Sequence, residues 1–191
     1  MTRKFSEPET AFHFDNIPAV LNGKTSTVIN FWKWAYSDLT QNVTRGMVGQ
    51  YIVAWALGVD DMPDDRWASF DLSINGKRVE VKTTSYLQAW KQKKVNPQFT
   101  IRKTHHYSRE SGYSKESDFQ ADIYVLCYFF EKDEKIADVT NLSQWKFWVF
   151  SRNVIEELFK NRKTIAVSKL EKEFNSVLTP NLGKTILSCK N

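Results

Sequence analysis

The chain has 191 residues, of which 41% are hydrophobic and 14% aromatic. That content excludes a disordered polymer and suffices for one sizeable core. The formal charge of +5 suits a polyanionic partner without requiring one, and only seven Gly and five Pro exclude low-complexity linkers.

In chain order, residues 1–23 show weak periodicity and read as an irregular N-terminal arm of a single domain spanning 1–191. Residues 28–39 place Val28, Phe31, Trp32, Ala35 and Leu39 on one helical face. Thr44 is positioned to cap a second helix, with a stripe of Val48, Tyr51, Ile52, Trp55 and Ala56, that stops at Gly58. An acidic loop over 60–65 leads to a hairpin. A polar, basic stretch follows, carrying Lys91, Lys93, Lys94, Arg102, Lys103, His105, His106 and Arg109, with a short strand over 99–102 inside it. The apolar run 121–130 reads as a strand buried on both faces, and it is too short to cross a bilayer. Residues 147–150 give another strand. A helix over 154–159 capped by Ser151 or Asn153, a strand over 164–167 and a terminal helix opened by a Ser168–Glu171 capping box complete the chain. This order predicts an α/β protein with a mixed central β-sheet flanked by helices.

Two distant cysteines, Cys127 in the apolar run and Cys189 near the C-terminus, point to free thiols and a reducing compartment. With no apolar leader at the N-terminus, a cytoplasmic location without membrane association is expected. Trp32 and Trp34, like Trp145 and Trp148, are expected in the core. The three His lack partners at zinc-ligand spacing. No Gly-rich phosphate loop and no nucleophile elbow is present, which argues against an ATPase or a serine hydrolase.

The hairpin carries the chemistry. Residues 70–82 alternate apolar and polar around Asn75-Gly76, the strongest short signal for a two-residue turn. Ile74 then pairs with Lys77, Asp71 with Glu80 and Ser69 with Lys82. Two carboxylates paired directly across a ladder lie about 5 Å apart at Cβ and repel each other. A divalent cation would offset that repulsion, and Lys82 shares the face of Glu80. Two acids, a lysine and a metal can hydrolyse a phosphodiester. The plainer alternative is a solvated hairpin face with Asp71 held by Arg78, a pair contributing about 0–1 kcal/mol.

Asp71 followed across a turn by Glu80-Val81-Lys82, with a helix before it, resembles the PD-(D/E)xK nuclease superfamily, which includes restriction endonucleases and Holliday-junction resolvases. Residues 31–39, Asn42, Arg45-Gly46, 79–82, 86–90, 121–125 and 144–149 are similar to a group of uncharacterised bacterial members. The resemblance implies a restriction-endonuclease-like core and metal-dependent hydrolysis of DNA, with Mg²⁺ as the cofactor and Mn²⁺ as a substitute. It implies that Asp71, Glu80 and the Val81 carbonyl hold the metal, while Lys82 orients water and stabilises charge on the phosphate. Gln50, after Gly49, stands where such nucleases often carry Glu, and it would hold a metal-bound water or the lysine. Arg45, Ser85, Gln88, Lys91, Lys93, Lys94, Arg102 and Lys103 are candidate DNA contacts, with a structural pairing to Asp38 the favoured alternative for Arg45, and a homodimer fits the need to cut two strands. Gln50 also keeps open a second function, a catalytically inactive module that binds DNA or a partner protein.

Overall fold

The computed structural model describes residues 25–61, 68–90, 95–108, 110 and 112–190, which fall in two compact units, 1–39 and 40–191. The expected arm over 1–23, most of the acidic loop, Lys91, Lys93, Lys94 and Arg109 lie outside the described residues. In the first unit, α1 (Val28–Tyr36) begins where Thr27 Oγ1 accepts the Asn30 N–H at 3.3 Å. Trp34 is 84% exposed and Trp32 40% exposed, which corrects their expected place in the core.

In the second unit, α2 (Asn42–Leu57) ends on Gly58, whose left-handed φ of 67° lets its N–H close back on the last turn. Asn75 and Gly76 adopt φ of 51° and 75°, the two positive values a type I′ turn requires, between β1 (Leu72–Ile74) and β2 (Lys77–Ser85). Then come β3 (Gln98–Thr100), β4 (Thr104–Ser108), β5 (Gly112–Asp118), β6 (Ile123–Phe129) and β7 (Trp145–Ser151). The chain closes with α3 (Arg152–Phe159), β8 (Thr164–Ala166), α4 (Val167–Glu173) and α5 (Thr179–Ser188).

The central sheet has the order β1-β2-β6-β7, with β2 and β6 parallel and the other pairs antiparallel. Every residue of β6 is buried, as its unbroken apolar run requires. One face of the sheet takes α2 and α5. Gly49 of α2 lies so close to β2 that a Cβ there would meet Thr83 Oγ1 at 2.3 Å, and Gly183 of α5 lies equally close to the Ala56 carbonyl of α2. The other face carries Tyr124, Leu126, Tyr128, Trp148 and Phe150, packed with Phe99 of β3, Ile165 of β8, and Ile155 and Phe159 of α3. The fold is α/β, a mixed central sheet flanked by helices.

Local departures have physical causes. The buried residues of α2 are Thr44, Arg45, Gly49, Ile52, Val53 and Ala54, whereas Tyr51 and Trp55 are more than half exposed. The small Gly49 sets the contact line with β2 and turns the expected aromatic stripe outward. Ser168 does not cap, because α4 starts one residue earlier with no side-chain cap bond. Strands β4 and β5 pair as a two-stranded ribbon that has no apolar face to give it away in the sequence.

Candidate active site

The hairpin register is Ile74 with Lys77, Ser73 with Arg78 and Leu72 with Val79. β1 therefore stops short of Asp71, and β2 runs on past it. Asp71 donates its N–H to the Val79 carbonyl at 3.1 Å, and its carboxylate accepts the Val81 N–H at 2.6 Å. The acid thus takes the place of a ladder partner and lies along the sheet edge rather than standing on one face. In an extended strand the N–H and C=O of one residue point to the same edge, so the Val81 carbonyl also faces the Asp71 side.

Glu80 and Lys82 project on the aromatic face, beside their β6 register partners Tyr124 and Leu126. Lys82 Nζ donates to Glu80 Oε1. Desolvation acts to lower the Lys82 pKa, but the charge and hydrogen bond of Glu80, together with the charge of Asp71, outweigh it and hold the ammonium above its ordinary value. The repulsion expected between the two acids is thus relieved by protein groups, Val81 N–H on one and Lys82 on the other. Arg78 does not hold Asp71. It forms a two-pronged pair with Asp122, Nε at 3.1 Å and Nη2 at 2.8 Å.

Two adjoining cavities open here. One, of about 300 Å³, is lined by Glu80, Lys82, Tyr124, Ser69 and Arg102. The other, of about 340 Å³, is lined by Asp71, Glu80, Ser69, Thr104, Tyr107 and Tyr113. Glu80 lines both cavities and so joins Lys82 and exposed Arg102 on the wall of the first to Asp71 on the wall of the second.

Gln50 follows Gly49 on α2, the helix against the Thr83 face, whereas Glu80 and Lys82 emerge on the opposite face. Arg45 is 4% exposed, and its guanidinium donates to Thr40 O at 2.6 Å, Asn42 Oδ1 at 2.7 Å and Gln88 Oε1 at 3.5 Å. Burial lowers its pKa. Arg45 thus makes structural ties, to Thr40, Asn42 and Gln88. Ser85 is fully buried and donates to the Leu87 carbonyl, while Gln88 donates to the Ser85 carbonyl, so both build the turn after β2 instead of lining the cleft. Lys103 sits 3.7 Å from Asp118 and over the Phe119 ring.

Some lining residues were missed in the sequence. Ser69 Oγ and His106 Nδ1 share a 2.8 Å hydrogen bond at the cleft, and Tyr113 is 68% exposed with its ring 5.1 Å from that of Tyr107. The hairpin arithmetic that sets Ser69 against Lys82 was the one available signal. The ribbon's contribution depends on a pairing that its sequence does not announce.

All candidate ligands are oxygen atoms, the donor class that Mg²⁺ and Mn²⁺ take with the balance made up by water. Among the described residues there is no group of three or more His, Cys, Asp or Glu able to hold a metal ion. Also among the described residues, no helix is long and apolar enough to cross a membrane.

No protein-family model matches the chain, and no curated protein matches it. Among solved structures, a bacterial homing endonuclease is similar at a TM-score of 0.36 and 18% identity, over 77% of this chain and 90% of that one.

Proposed function

We propose that this protein is a metal-dependent endonuclease with a restriction-endonuclease-like core that hydrolyses phosphodiester bonds in DNA. The observation that carries the reading is the meeting of Asp71, Glu80 and Lys82 at the open end of β1, in a cleft that also holds Arg102. Asp71, Glu80 and the Val81 carbonyl would hold Mg²⁺ or Mn²⁺. When bound, the ion supplies Lewis-acid polarisation of the phosphate and a more acidic water.

The chain's own groups do the rest. The Val81 N–H restrains the Asp71 carboxylate in advance, so less side-chain entropy is lost in orienting it. Lys82, held cationic by Glu80 and Asp71, is suited to stabilise negative charge as it develops on phosphate oxygens, and it is poorly suited to accept a proton near neutral pH. Arg102 offers a second cation to a phosphate on the same strand.

A non-catalytic DNA-binding module on the same fold is favoured by one observation: both acids already have protein partners, Val81 N–H and Lys82. Incubation with supercoiled plasmid and with single-stranded DNA, in Mg²⁺, Mn²⁺ or EDTA, separates the two readings. Cutting in either metal that stops in EDTA supports the enzyme, whereas DNA retention with no cutting in any metal supports the module.

A further inference from the structure

Behind the candidate cleft lies a larger groove of about 990 Å³, and the two share Ile101 and Arg102 in their walls. The groove is lined by six basic and two acidic residues. Its acids are already engaged: Arg152 binds Asp118 and also donates Nε to Glu156 at 2.7 Å. The cations on the far wall are Lys160, Arg162 and Lys163, all exposed, in the turn between α3 and β8. Lys160 approaches Glu157 loosely at 3.9 Å, while Arg102, Arg162 and Lys163 form no ion pair among the described residues.

The turn is fixed relative to the cleft. β8 pairs with β3 through Thr164 with Thr100 and Ile165 with Phe99, and the Ile101 N–H donates to the Lys163 carbonyl at 3.2 Å. The same ladder therefore positions Lys163 on one strand and the approach to Arg102 on the other. Cations that are unpaired or only loosely paired among the described residues, held by the β3–β8 ladder beside a cleft that would hold a scissile phosphate, have the form of a track for a polyanionic backbone.

Resting on the nuclease reading above, we infer that the α3–β8 turn is a nucleic-acid backbone clamp. In it Lys160, Arg162 and Lys163 hold phosphates of the strand that passes over Arg102 into the Glu80–Lys82 cleft. The contacts are to phosphate and carry no base preference.

The test is fluorescence anisotropy of the full chain with a labelled mixed-sequence DNA duplex in EDTA, repeated over a range of salt. An Arg162→Ala/Lys163→Ala double variant is compared with Arg162→Lys/Lys163→Arg and with Lys135→Ala, whose residue lies outside the groove lining. The clamp predicts about tenfold or greater loss of affinity in the double alanine variant and a salt slope shallower by about 2, with the other two variants like wild type. Equal affinity and slope in the double alanine variant would overturn it, as would failure of the wild type to bind DNA. If the clamp result is obtained but no metal supports cutting, the clamp stands and the nuclease reading falls. If cutting occurs but the variants bind alike, the reverse holds.

Discussion

The Asp71 carboxylate accepts the Val81 backbone N–H at 2.6 Å, so a candidate metal ligand also serves as the hydrogen-bond partner where β1 has ended. Its two roles can be separated. Asp71→Asn keeps an oxygen acceptor, and Asp71→Ala leaves the N–H without one. Asp71→Ala should lose about 1–3 kcal/mol in urea unfolding and Asp71→Asn much less. Equal losses in both would show that the Val81 bond contributes nothing.

Three glycines in packed helices should respond to alanine with different signs. Gly46 has no atom within 4 Å of an added Cβ, so Gly46→Ala should gain about 0.5–1 kcal/mol from helix propensity. Gly49→Ala would strike the Thr83 side chain and should cost about 1–3 kcal/mol, part of which a second change, Thr83→Ala, should restore. Gly183→Ala would meet the Ala56 carbonyl at 2.1 Å, a backbone atom with no rotamer to yield, and should cost most of the three. Thermal unfolding of the four variants checks the order.

Alkaline titration should expose two late tyrosines. Burial pushes Tyr124 up to about 12, against the Ala121 N–H that donates to its oxygen, and burial with the nearby Glu171 charge pushes Tyr128 up to about 12. The folded state keeps protons that the unfolded state has lost above pH 10. Stability from these groups is therefore complete below pH 10 and lost as pH rises towards 12. Lys82, also raised, adds a loss of the same sign above its ordinary value. Ultraviolet difference absorbance should show the last two tyrosines ionising together with unfolding, and early ionisation of all tyrosines in a folded chain would contradict the burial argument.

Thiol labelling should be asymmetric. Both cysteines are free; Cys127 is fully buried, and burial raises its thiol far above the usual range, while Cys189 is partly exposed. An aromatic disulfide reagent should label Cys189 in the native protein and Cys127 only after unfolding.

Much of the core was legible because its residues state their period. The apolar run became β6, Asn75-Gly76 set a register that carries Asp71 to the edge beside Glu80, and Trp145 and Trp148 are buried. The rotation of α2 was not legible, because a glycine contact rather than the aromatic stripe decides which side meets the sheet. A structural role for Arg45 was legible at the start of α2, but its partners Thr40 and Asn42 were not, because backbone carbonyls and a neighbouring amide carry no sequence signal. The ribbon of β4 and β5 reaches the cleft, and the basic turn at Lys160–Lys163 the groove beside it, only through long-range strand pairing, and no local pattern encodes that.

The most direct measurement is the rate of supercoiled-plasmid cutting in Mg²⁺ and Mn²⁺ by the wild type beside Asp71→Asn and Lys82→Ala, each checked for an intact thermal transition. The account predicts metal-dependent cutting by the wild type and a loss of about 100-fold or more in each variant. Folded Asp71→Asn protein that cuts as fast as the wild type would contradict it.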